Sequence, residues 1–167
     1  MMGMLRRLFA DSRASAATEM ALVLPLLLLL MFGSFELGNY FLSEHVVQKG
    51  VRDAARYASR LPITDYPACA PTADAELRIQ RIARTGEPDG TAVRVGGWTA
   101  DTITDVTLTC DTSGTHTGIY TVYPFPDGVP TITVAASVPY PSLFSQIGLG
   151  DTSLTLNAQS QAAIFAQ

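Results

Sequence analysis

The chain has 167 residues with 47% hydrophobic content and a formal net charge of -4, which leaves room for one small domain beside a membrane span. The cations are unevenly placed, with Arg6, Arg7 and Arg13 against a single acid, Asp11, in the first 18 residues and an acidic balance beyond. No basic surface large enough to neutralise many phosphates is present, which argues against nucleic acid as a partner.

The apolar excess is concentrated between Met20 and Leu42, and no charge interrupts it before Glu36. As a helix this stretch would run about 35 Å, enough to cross a hydrocarbon layer of about 30 Å. The arginine cluster ahead of it predicts a cytoplasmic N-terminus and an exported C-terminal part, a single-pass protein of a bacterial inner membrane. A cleaved secretory signal is the competing reading. The apolar run is too long for it, and the small residues Ala14 to Ala17 stand before the run rather than after it.

Within the span, Pro25 lacks the N–H that would donate one turn back and is expected to kink the helix near its cytoplasmic end. Ser34 and Gly38 form a small-xxx-small pair suited to helix packing. Glu36 is expected at the outer interface, where it reaches water. Glu19 begins the span, with Thr18 as a candidate cap. Its bland reading is an interfacial helix start, and its functional reading is an assembly charge.

The helix is predicted to continue beyond the membrane. Val47, Val51, Ala54, Ala58 and Leu61 repeat at four and three residues and define one apolar face, and Pro62 ends it. Arg52, Arg56 and Arg60 form a basic stripe, read as a solvated face or as a dock for an acidic partner. A loop from Pro62 to Pro71 follows, then a short helix from Ala73 to Arg84 with Leu77, Ile79 and Ile82 as its apolar contacts, closed by Gly86. Strands are expected at Ala92 to Trp98, Thr104 to Cys110, Gly118 to Tyr123, Thr131 to Tyr140 and Ser153 to Phe165, with alternation clearest in Val106-Leu108-Cys110 and Leu154-Leu156-Ala158. Tyr123 to Asp127-Gly128 reads as a rigid hairpin loop. The fold class is α+β: a transmembrane helix extending into a periplasmic helix, packed on a small antiparallel sheet. The expected layout is a cytoplasmic leader at 1–14, a transmembrane helix at 15–43, a helix extension at 44–61, a loop and short helix at 62–91 and a sheet domain at 92–167.

The two cysteines, Cys69 and Cys110, both follow the span, and in an oxidising compartment they are expected to pair; two free buried thiols are the alternative. Neither sits in a CxxC, so a redox motif or zinc site is not expected. The two histidines, His45 and His116, lie at an interface and in a turn, and no spacing combines them with Cys69, Cys110 or Asp111 into a catalytic or metal set. No enzyme, metal or cofactor is predicted.

Arg13 through Pro25, Phe32 through Gly38, Val51 through Ala58, and the C-terminal Val134 to Tyr140 with Leu154 to Ala158 resemble in order and spacing the TadE-like proteins. These are minor pseudopilins of the tight-adherence (Flp) pilus system, a branch of the type IV pilus superfamily. The resemblance implies a pilin-like fold and a non-enzymatic role in pilus assembly. It implies as partners the membrane, other pilins or pseudopilins, and pilus-assembly components. It further implies cleavage by a prepilin peptidase between Ala14 and Ser15, with Ala14 where the family usually has glycine. Glu19 then becomes the fifth mature residue, one turn from a new amino group with which it could pair. A membrane-tethered periplasmic binding or adhesion module outside pilus assembly is the alternative.

Overall fold

The computed structural model describes residues 12–100, 104–111, 129–146, 148 and 154–164. Helix α1 (Ser12–Ala58) runs for 47 residues without interruption, through Pro25. The chain divides into two compact units, Met1–Asn39 and Tyr40–Gln167, so α1 contributes to both.

In the second unit, the part of α1 from Tyr40 onward meets helix α2 (Ala73–Thr85) and a three-stranded antiparallel sheet. The strands are β1 (Thr104–Asp111), β2 (Val129–Pro139) and β3 (Thr155–Ala163), with β2 in the centre and a single-turn helix α3 (Leu143–Gln146) between β2 and β3. The fold is α+β. Register places Val106 opposite Val134 and Leu108 opposite Ile132, and on the other side Val138 opposite Leu156 and Ala136 opposite Ala158. Opposed residues share a face, so these pairs build one apolar layer. The other layer is Asp105, Ala135 and Gln159, then Thr107, Thr133 and Gln161, a polar surface of small side chains.

The apolar layer buries the stripe of α1 read from the sequence. Val47, Val51, Ala54 and Ala58 are fully buried and Leu61 nearly so, with Ala55 added to the same face. From α2 come Ala75, Ile79, Ile82 and Ala83, whereas Leu77, expected among the contacts, is 55% exposed. Leu77 stands two residues from both Ala75 and Ile79 and so on the opposite side of α2. At Gly50 an added Cβ would stand 2.4 Å from the Ala83 carbonyl oxygen and 2.9 Å from the Trp98 ring. Gly50 is therefore a point of close approach between the two helices.

Helix ends follow local chemistry. Thr72 Oγ1 accepts from the Ala75 N–H at 3.3 Å, and Gly86, at φ 93°, closes α2 in the left-handed conformation with its N–H on the Ile82 carbonyl. Helix α1 stops at Ala58, ahead of Pro62, and the Ala58 carbonyl accepts both the Leu61 N–H and the buried Tyr66 hydroxyl, the latter at 2.7 Å.

The expected strand at Ala92 to Trp98 is a loop. The Arg94 N–H donates to the Arg84 carbonyl at the end of α2, and Gly97 adopts φ 87°, turning the chain so that Trp98 enters the core. Its indole Nε1 donates to Thr104 Oγ1 at 3.1 Å. Leu154, expected inside the last strand, precedes β3 and is exposed. The expected strand at Gly118 to Tyr123, the loop at Tyr123 to Gly128 and His116 lie outside the described residues.

Two outcomes follow from this packing. Gly50→Ala should lower the stability of the folded domain by about 1–3 kcal/mol, because a backbone oxygen blocks the methyl group; thermal unfolding of the purified protein measures it. Tyr66 titrates well above the usual tyrosine range, through burial first and then the charges of Asp65 and Tyr57, with Arg78 opposing. Because the folded state holds this proton more tightly, the associated stability is present below pH about 10 and is lost as pH rises above it. Tyr66→Phe should cost about 1 kcal/mol near neutrality and flatten the alkaline decline seen in short-exposure denaturation curves.

Candidate functional site

Along the N-terminal part of α1 every large apolar residue from Met20 to Phe35 is exposed, including Leu22 at 80% and Leu29 at 69%, and Leu37, Phe41 and Leu42 extend the surface. A soluble monomer does not carry a continuous apolar surface of this extent. Ala16–Ala58 is, among the described residues, the single helix long and apolar enough to cross a membrane. An α-helix suits that setting because it satisfies its backbone groups internally.

The polar and small positions on this surface are arranged so that the helix tolerates lipid. Ser34 donates its hydroxyl to the Leu30 carbonyl at 2.7 Å, removing a bare polar group from the surface. Pro25 cannot supply the donor that the Ala21 carbonyl would otherwise receive, yet the helix remains unbroken there. A Cβ added at Gly33 or at Gly38 would meet nothing within 4 Å, so no contact among the described residues requires either glycine. Glu19 is exposed and Glu36 half-buried, and neither is free of interactions. Ala14 and Ser15 lie in the first turn of α1, helical in backbone.

The cysteines occupy a different place. Cys69 and Cys110 form a disulfide with a Cα separation of 6.1 Å, joining a short 3-10 turn (Pro67–Cys69) to the end of β1. Ala68 and Cys69 both have positive φ, 51° and 57°, in a conformation that costs non-glycine residues on the order of 1 kcal/mol or more each. The bond holds this turn against the sheet. Arg78 pairs with Asp65 at 2.9 Å, and at the other end of α2 Arg94 pairs with Asp53 of α1 at 3.0 Å.

Residues 14–56 match the family model described as TadE-like protein. No curated protein and no solved structure matches the chain. The TadE-like segment is almost coextensive with α1. It begins at Ala14, contains Ser15, Glu19, Pro25, Ser34, Glu36 and Gly38, and ends after the buried positions Val47, Val51 and Ala54; both cysteines and all three strands lie outside it.

Residues that matter to this arrangement and that sequence reading passes over are Gly50, Asp53, Tyr66 and Arg94. A glycine in the middle of a strongly periodic helix is a legible signal of close approach. The Asp53–Arg94 pair joins residues 41 positions apart and leaves no local trace. Among the described residues no group of three or more His, Cys, Asp or Glu side chains could hold a metal ion. A shallow cavity of about 400 Å³ lies on the polar sheet face, between Asp105, Ser137, Asn157 and Gln159.

Removing the disulfide by Cys69→Ser with Cys110→Ser should destabilise the domain by about 4 kcal/mol through loop-closure entropy. Denaturant midpoints with and without reductant check this, and an unchanged midpoint would show that the bond contributes nothing.

Proposed function

We propose that this chain is a TadE-like minor pseudopilin that assists biogenesis of the tight-adherence (Flp, type IVb-like) pilus through helix packing and partner binding. The observation that carries the reading is the coincidence of the TadE-like segment with the exposed apolar length of α1. The matched residues take in the whole exposed apolar stretch from Met20 to Leu42, which has no covering among the described residues. Family membership also supports a membrane setting and association with pilus-assembly components.

On this reading the arginine cluster at residues 6–13 remains in the cytoplasm, α1 crosses the inner membrane once, and the unit carrying the sheet stands in the periplasm. A prepilin peptidase cuts between Ala14 and Ser15. The new amino group and Glu19, four residues on, offset each other's charge when the helix enters a bundle of pilin or pseudopilin helices. Ser34 and Gly38, a small-xxx-small pair, suit that bundle, since a helical glycine costs about 1 kcal/mol and no contact among the described residues requires one at position 38.

Deleting the gene should abolish or sharply reduce surface pili, with restoration by the wild-type copy; normal piliation in the deletion strain would favour a tethered binding or adhesion module instead. Glu19→Gln should lower pilus yield roughly tenfold, the ratio that about 1.4 kcal/mol of lost pairing produces, with Glu19→Asp retaining more. Intact mass of the membrane-extracted protein should lack residues 1–14 only in cells with the peptidase.

A further inference from the structure

The cations of the folded unit fall into two groups. Arg78, Arg81 and Arg94 stand in ion pairs, and Arg84 donates to the Gln80 carbonyl. Lys49, Arg52, Arg56 and Arg60 are all exposed and, among the described residues, make no ion pair and no side-chain hydrogen bond. Their spacing of three, four and four residues puts them along one line of α1 and the turn that follows it, away from the buried Val47, Val51, Ala54 and Ala58. The nearest acids on the helix are engaged elsewhere: Glu44 accepts from Gln48, and Asp53 faces Arg94.

Like charges at this spacing repel and weaken a helix. The helix dipole compensates only in the last turn, where Arg56 lies, and Lys49 and Arg52 are farther up. Among the described residues, nothing in the packing of this unit accounts for the row. We propose that Lys49, Arg52, Arg56 and Arg60 form a docking surface for another polypeptide that presents a row of carboxylates along a helix. Side chains three and four residues apart on one helix match those on another laid beside it, and the planar arginine forks take carboxylates in pairs.

Anionic lipid is the rival occupant, and axial reach disfavours it. The last exposed leucine of the apolar surface is Leu42, and Arg56 lies about 21 Å farther along the helix. A headgroup layer is about 5–8 Å deep, so even a strongly tilted helix carries Arg56 past it. A partner running beside the helix reaches all four cations.

The test uses the full chain in its native membrane, with the photoreactive residue p-benzoylphenylalanine at position 60. Irradiation should give a discrete protein adduct whose cross-linked peptide carries carboxylates at three- and four-residue spacing. Lys49→Glu, Arg52→Glu and Arg56→Glu together should reduce it by about tenfold or more, and lysines in place of the partner's carboxylates should restore it. Retention of the Cys69–Cys110 bond, read by mass, certifies folding, and the milder Lys49→Gln with Arg52→Gln serves if the reversed chain misfolds. Labelling of phospholipid alone, an adduct that survives charge reversal, or one to a segment without carboxylates would overturn the proposal. The readout is independent of piliation, so failure of the pilus reading and failure of this surface are distinguishable.

Discussion

Helix α1 places one backbone in two settings, and the rest of the structure depends on how its surface changes along its length. From Met20 to Leu42 the apolar side chains are exposed around the helix; from Val47 to Ala58 they narrow to a single stripe that the sheet and α2 cover. The change is one of pattern, from a continuous apolar run to a four-three repeat. A helix can make it without interruption, because its hydrogen bonds stay within the segment whatever surrounds it.

The covered stripe is built from small and β-branched residues, and this sets the geometry of the folded unit. Ala54, Ala55, Ala58 and Gly50 allow other elements close to the helix axis, and the space is filled from outside by Ile79, Ile132, Trp98 and Leu156. Connections that hold little apolar surface are fixed by specific links instead. Tyr66 ties the segment after α1 to the Ala58 carbonyl, Arg94 ties the loop after α2 to Asp53, and the disulfide ties the strained turn at Ala68 and Cys69 to β1. A small domain with a limited core gains most from such fastenings.

The same helix gives the functional argument its two halves. Its apolar length, matched by the TadE-like segment, accounts for association within a membrane. Its exposed line from Lys49 to Arg60 offers charge to a neighbour beyond the apolar surface. Helix association inside lipid depends on close packing, and association outside it depends on complementary charge, so the two parts of α1 offer different kinds of contact.

Sequence alone determined the elements whose signal is periodic or local: the apolar run from Met20, the stripe Val47-Val51-Ala54-Ala58-Leu61, α2 with its Gly86 end, the alternation in β1, and the strand at β2. These are consequences of residue spacing, which the chain carries whatever else it touches. Tertiary structure decided what depends on distant partners. Val93, Val95 and Trp98 have strand-like composition, but the Arg94 N–H finds the Arg84 carbonyl, Gly97 turns the chain, and the segment becomes a loop around a buried indole. Leu77 has the hydrophobicity of a core residue and lies outside because the buried face of α2 runs through Ala75, Ile79, Ile82 and Ala83, and Leu77 stands on the opposite side of the helix. The isolation of Lys49, Arg52, Arg56 and Arg60 was likewise invisible in the sequence, which shows their spacing but not that Glu44 and Asp53 are engaged elsewhere. Spacing along a chain fixes which residues share a face, and only the fold fixes what that face meets.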